Sequence, residues 1–156
     1  MPVVFAYNMR PNFNFNCYEM DFRIQVKQTP KFCFIDAVND EGVRIGKVGI
    51  EYSDEYPRYA KHCNGKRLAK IIYVSTSISS CGKGVATELL NTAIELLEGY
   101  NLYLTVVPMP REGESIKHRT VKGLMEFYKK FGFERCDSDV IVPTMIRKAS
   151  LPTLGE

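Results

Sequence analysis

At 156 residues, with 45% of them apolar, the chain is sized for one domain with a buried core. Its formal net charge of +3 comes from basic residues scattered among acidic ones, which argues against a dedicated nucleic-acid binder, since that would carry a denser basic stripe. Five cysteines without a C-x-x-C pair argue against a disulfide framework or a metal site, and no segment is long and apolar enough to cross a bilayer, so a soluble cytoplasmic protein is expected.

Residues 1–17 mix Pro2, Pro11 and four asparagines with Val3, Val4, Phe5, Phe13 and Phe15. An irregular segment is expected there, its aromatic residues packing on the sheet or on a partner. From Tyr18 to Gln28 the alternation of Tyr18, Met20, Phe22, Ile24 and Val26 predicts a strand with one buried face. Thr29-Pro30-Lys31 ends it, and Phe32 to Val38 alternates again as a second strand. Asn39-Asp40-Glu41-Gly42 is a turn signal, and Val43, Ile45, Val48 and Ile50 predict a third strand. Gly46 and Gly49 within it mark a bulge or a close approach of backbone. Residues 53–66 are polar, basic and aromatic, and read as a solvated loop that carries His62, with a substrate-facing flap as the alternative.

Ile71, Ile72, Tyr73 and Val74 suit a buried fourth strand. Small polar residues follow as far as Ser80, then Cys81, Gly82, Lys83 and Gly84, and from Val85 the apolar positions Val85, Leu89, Ala93 and Leu96 recur at helical spacing up to a stop at Gly99. Leu102, Leu104 and Val106 alternate in a fifth strand, ended by Pro108 and Pro110. After a charged loop from Arg111 to His118, a second helix runs through Val121, Leu124, Met125, Tyr128 and Phe131 to Gly132. Phe133–Cys136 and Val140–Arg147 read as a hairpin, and residues 148–156 as a loose tail. The sum is a single domain over residues 1–156 of mixed α/β class, with helices against one sheet.

A strand that feeds a glycine loop opening a helix leaves backbone N–H groups aimed at one point, where the helix dipole favours an anion. Cys81 to Ala86 is thus a pyrophosphate site in outline. The nucleoside-triphosphate loop is excluded because Gly84, rather than Ser or Thr, follows Lys83, and the dinucleotide fingerprint lacks its third glycine. Cys81-Gly82-Lys83-Gly84-Val85-Ala86 resembles the acyl-CoA loop of the GNAT superfamily of N-acyltransferases at every place but the first, where Cys81 replaces Arg or Gln. Forty residues on, Phe127-Tyr128-Lys129-Lys130-Phe131-Gly132-Phe133 resembles the end of that family's late helix. The two motifs stand in the family's order, with a strand between them, and the resemblance covers about Lys70 to Arg147.

The resemblance implies a mostly antiparallel mixed sheet splayed between the fourth and fifth strands, with acetyl-CoA in the gap as acyl donor. It implies backbone contacts to the donor's arm from Val74 and Thr76, a pyrophosphate over Cys81, Gly82, Lys83, Gly84, Val85 and Ala86, a hydroxyl from Thr87, and Tyr128 as the acid that protonates the leaving thiolate. On its own Tyr128, at an apolar helical position, reads as core. An amine needs only to lose its proton and attack the thioester carbonyl, so orientation and proton transfer carry the reaction. Glu51 and Asp54 at the end of the third strand and His118 before the last helix are candidates for the base, with Glu51 the first choice. Cys81 as a nucleophile lacks a paired histidine nearby.

Two departures from the family remain. Val121 stands where many members carry an asparagine, and the helix pair that usually follows the first strand is reduced or absent, since Tyr18 to Tyr52 reads as consecutive strands. The expected function is N-acetyl transfer to a primary amine of a small molecule, a polyamine or a protein, with no membrane or nucleic-acid partner, and the chain is compatible with a homodimer. The alternative is a catalytically silent module of the same fold that binds CoA or a protein.

Overall fold

The computed structural model describes residues 3–7, 22–52, 67–77, 84–107, 120–136 and 143–149. It opens with β1 (Val3–Tyr7), antiparallel to β2 (Phe22–Gln28) with Phe5 opposite Val26. This corrects the expectation of an irregular segment for residues 3–7; residues 8–17, and residues 18–21 of the first predicted strand, lie outside the described residues. The run VVFAY has β-type composition but is apolar at every position, so it carries no period-2 signal that would identify it.

The next strands form where alternation predicts them. β2 buries Phe22, Ile24 and Val26, and β3 (Phe32–Asn39) buries Cys33, Ile35 and Ala37 on the same face. Thr29 closes the turn between them, its N–H donating to Phe32 O at 2.8 Å and its Oγ1 accepting from Phe32 N at 2.9 Å. The β3–β4 turn is held by Asn39, whose Oδ1 accepts from the N–H groups of Glu41 and Val43, while Gly42 takes the left-handed φ of 78°.

β4 (Arg44–Tyr52) shows what its two glycines are for. Between the pairs Ala37–Gly46 and Val38–Arg44 the register shifts, leaving Ile45 as the extra residue of a bulge, buried in the core. A Cβ at Gly46 would lie 2.8 Å from Val85 Cγ1 and 2.9 Å from Leu89 Cδ1, so the missing side chain lets α1 (Val85–Leu96) sit down on the sheet. A Cβ at Gly49 would lie 2.5 Å from the Tyr73 ring on the opposite face. Tyr73 belongs to β5 (Arg67–Thr76), where a second register shift leaves Ile72 as an extra, exposed residue.

Gly99, at φ 90°, turns the chain from α1 into β6 (Tyr100–Thr105), which runs parallel to β5. The chain then forms α2 (Val121–Lys129), β7 (Glu134–Arg135) and β8 (Thr144–Arg147), and the eight strands lie in the order β1-β2-β3-β4-β5-β6-β8-β7. All neighbouring pairs are antiparallel except β5–β6. The predicted fourth and fifth strands are therefore β5 and β6.

One face of the sheet carries the main core. Ile24, Val26, Ile35, Val48, Ile50, Leu102 and Leu104 meet Val85, Leu89, Leu90 and Ala93 of α1, and the apolar side of α2 joins the same cluster. Both helices among the described residues thus lie against one face. β2 and β3 are joined by three residues, Thr29–Lys31, with no helix pair between them.

Over β3 and β4 the other face is half-buried and charged, whereas at β5, β6 and β8 it buries a second, smaller cluster of Leu68, Tyr103 and Ile146. Asp36 lies opposite Lys47, with Arg44 Nη1 3.9 Å from its carboxylate, and Lys47 Nζ sits 5.0 Å from the centre of the Tyr73 ring. Burial raises the Asp36 carboxyl above its usual range, outweighing the opposing pull of Arg44 and Lys47, and it raises the Tyr73 hydroxyl as well. A carboxyl raised by folding favours the native state at low pH and loses that contribution as pH climbs through its folded value. Asp36→Asn is therefore expected to raise Tm at pH 7, with the difference from wild type closing below about pH 4 in a thermal melt series.

Candidate active site

β5 and β6 are paired only at their beginnings, from Arg67–Tyr100 to Lys70–Tyr103. Beyond that point β5 runs on to Thr76 and β6 to Thr105 without a pairing between them. The sheet has parted in its middle. The Ile72 bulge lies just past the last pair, where the added twist turns β5 away from its neighbour.

Within the gap the direction of the β5 backbone is fixed by its contacts with β4. Ser77 N–H donates to Ile45 O at 2.8 Å, and Ser75 O lies 3.3 Å from the Cβ position of Gly46, so the polar groups of both serines turn toward β4. By the alternation of a strand, the N–H and C=O groups of Val74 and Thr76 turn the other way, into the gap. The Val74 side chain packs on the core, and that of Thr76 is buried.

β5 leads to the start of α1. Gly84 is the N-cap at φ 80° with no side-chain cap bond, a left-handed conformation that favours glycine. Glu88 N–H to Gly84 O is the first bond of the helix, so the N–H groups of Val85, Ala86 and Thr87 are not used within it. Val85 is buried against Gly46, Ala86 is half-buried and Thr87 exposed, which leaves the backbone as the shared chemical feature of that turn. Cys81, Gly82 and Lys83 lie outside the described residues, as do Asp54, His62 and His118.

Tyr128 is half-buried on α2, with its ring edge-on to Phe127 and Phe133 at centroid distances of 5.4 and 5.9 Å. Two hydrogen bonds and a glycine stop hold this helix. Thr120 Oγ1 accepts from Gly123 N–H at 2.9 Å as N-cap, Gly132 ends the helix at φ 88°, and Arg147 Nε of β8 donates to Phe131 O at 2.8 Å. Val121 packs on the core, in keeping with its apolar character.

Glu51 is half-buried on β4, between Phe32 of β3 and Lys70 of β5, on the face away from both helices. Tyr128 and Glu51 are thus on opposite faces of the sheet, and Lys70, which sits opposite Glu51, is also the last residue of β5 paired with β6. Sequence reasoning missed Lys70 because its place depends on register. It could have found Thr120, a helix-capping residue directly before the apolar run of α2. Tyr52, next to Glu51, is pushed well above the ordinary phenol range, chiefly by burial and then by Cys33, and burial also raises the Cys33 thiol. Both stay protonated at neutral pH, and Cys33 is a core thiol. Among the described residues no group of three or more His, Cys, Asp or Glu could hold a metal ion, and no helix is long and apolar enough to cross a membrane.

A mixed sheet parted beside a helix that opens on a glycine defines an architecture, and the comparisons give it a family. The model of the acetyltransferase (GNAT) family matches residues 4–133. The chain belongs to the GNAT acetyltransferase family. Among solved structures it is similar to a histone acetyltransferase HPA2 and related acetyltransferase from Corynebacterium glutamicum, with a TM-score of 0.56 and 20% identity over 80% of this chain and 68% of that one. It is also similar to the PaiA N-acetyltransferase from Thermoplasma acidophilum in complex with coenzyme A, with a TM-score of 0.54 and 18% identity over 76% of this chain and 61% of that one. A third is Arabidopsis thaliana Naa50 in complex with the bisubstrate analogue CoA-Ac-MVNAL, with a TM-score of 0.50 and 17% identity over 73% and 71% of the two chains. At these identities the likeness is one of fold. No curated protein matches the chain.

Proposed function

We propose that the protein is an acetyl-CoA-dependent N-acetyltransferase that acetylates a primary amine by direct attack in a ternary complex. The observation that carries this reading is the parting of β5 from β6 after Lys70–Tyr103, which turns the backbone of Val74 and Thr76 into an open gap. The residues present fit the donor. An extended amide-bearing arm finds free strand-like backbone in the gap, and a pyrophosphate finds the amides of Val85, Ala86 and Thr87 at the uncapped end of α1.

Acetyl-CoA supplies an activated acetyl thioester. Gly84 at the head of α1 would let the backbone approach the phosphates, where the family resemblance also puts Cys81, Gly82 and Lys83, and Thr87 would add a hydroxyl at the rim. Glu51 takes the proton of the acceptor amine, directly or through one water, and Tyr128 gives its phenolic proton to the departing sulfur. The reference pKa values of a phenol and a thiol are close enough for that transfer.

Thiol release from acetyl-CoA in the presence of a panel of primary amines tests the reading, with amine-dependent CoA formation as the expected result. Absence of both CoA binding and CoA release would sink it. The three-residue β2–β3 turn, in place of a helix pair, favours a second reading as a catalytically silent CoA-binding module. Calorimetric binding of CoA without turnover on any amine would select that one.

A further inference from the structure

The face of the sheet that neither helix covers holds an unequal set of charges. Among the described residues of β2 to β5, Arg23 and Lys27 of β2, Arg44 and Lys47 of β4 and Lys70 of β5 share it with two carboxylates, Asp36 and Glu51, as the strand pairings show, and a third carboxylate, Glu134, lies at its far edge on β7. Over β2 to β5, five cations stand against two carboxylates. The excess is local. Arg44 stands beside Asp36 and Lys70 opposite Glu51, so Arg23, Lys27 and Lys47 make up the surplus.

These three have a direction. The gap borders β5, Lys47 lies one strand inward over Tyr73, and Arg23 and Lys27 lie two strands further, both exposed. β5 to β2 is three strand spacings, about 14 Å, which is the length of about four residues of extended peptide and more than a small amine spans. Half-buried Phe34 and Tyr73 line the way. Among the described residues both helices and Tyr128 occupy the other face, and on this one Leu68, Tyr103 and Ile146 are buried toward β8, so β2 to β5 is the side left for an acceptor.

We propose that the acceptor is the α-amine of an acidic peptide, lying across β5 to β2 with its carboxylates on Lys47, Lys27 and Arg23. The proposal rests on the transferase reading above. In the transfer the C–N bond to the α-amine forms as the C–S bond of the thioester breaks; the amine loses one proton and the thiolate gains one. A polyamine or a lysine-rich tail would set cation against cation on this face.

Two readouts keep this inference separate from the reading beneath it. The full chain is given acetyl-CoA and peptides with a free α-amine, identical except that residues two to five are acidic, neutral or basic, with spermidine as a further acceptor; CoA release is followed, and binding of the same fluorescein-labelled peptides is measured by polarisation. Acidic peptides are expected to exceed basic ones about tenfold or more in kcat/KM and in affinity, and the margin should shrink as salt rises from 50 to about 500 mM. The exposed pair Arg23→Glu and Lys27→Glu should reduce the margin to about threefold or less, with KM for acetyl-CoA and Tm unchanged; Lys47→Gln should act in the same direction. Selective binding of acidic peptides without any turnover upholds the acceptor face and overturns the transferase reading. Equal or better turnover of basic peptides or spermidine overturns the proposal and upholds the transferase. Failure of acidic peptides to bind or react preferentially overturns the proposal as well, as does a preference that survives the β2 charge reversals.

Discussion

Tyr128→Phe is expected to lower kcat about 100-fold while leaving KM for acetyl-CoA within about twofold. The substitution removes one oxygen and keeps the ring, whose edge contacts with Phe127 and Phe133 hold this part of α2 on the core. Loss of folding is therefore not the expected outcome, and a Tm close to wild type is part of the prediction. On the proposed mechanism, what is lost is the proton for the departing sulfur. The effect should shrink with an acyl donor whose thiol leaving group has a lower pKa, because such a thiolate needs less help to leave. Steady-state kinetics with acetyl-CoA and with an aryl thioester would check both halves. An unchanged kcat would return Tyr128 to the role that its helical position alone suggests, that of a core aromatic.

Leu89→Ala is expected to destabilise the fold by about 3 kcal/mol, read as a drop in the urea midpoint. Leu89 is fully buried in the cluster that joins α1 to the sheet, and it reaches down to the place where Gly46 has no side chain. Gly46→Ala on its own puts a methyl group 2.9 Å from Leu89 Cδ1 and 2.8 Å from Val85 Cγ1, and such overpacking costs about 1–3 kcal/mol. The two changes share one volume. The double variant should be less destabilised than the sum of the single ones by about 1 kcal/mol, since the new methyl partly fills the space that the leucine vacates. Strict additivity would mean that α1 does not depend on this contact for its seat.

The strands from Phe22 to Tyr52 were legible because each buries one face, and period-2 alternation reports that directly. β1 was not, since VVFAY is apolar throughout and only its pairing with β2 makes it a strand. Gly46 and Gly49 announced a close approach, but which faces they serve followed from registers that a sequence does not display. On the donor side, Gly84 was found by motif, and its left-handed φ gives that glycine a physical reason. Glu51 could be named as a candidate base, whereas the Lys70 opposite it and the surplus of Arg23, Lys27 and Lys47 arise from strands that meet only in three dimensions. Local rules reveal elements and caps; charge fields belong to the assembled sheet.

The parting of β5 and β6 also bears on how the protein survives in solution. It is an edge in the interior of a sheet, where no described strand pairs with the backbone groups of Val74 and Thr76. A molecule lying along that edge completes the ladder, so its binding and the folding of the two half-sheets are one thermodynamic quantity. At a hundredfold excess over its Kd, such a ligand adds about 2.7 kcal/mol to stability. Under the proposed function, donor supply sets how long the protein lasts as well as how fast it works.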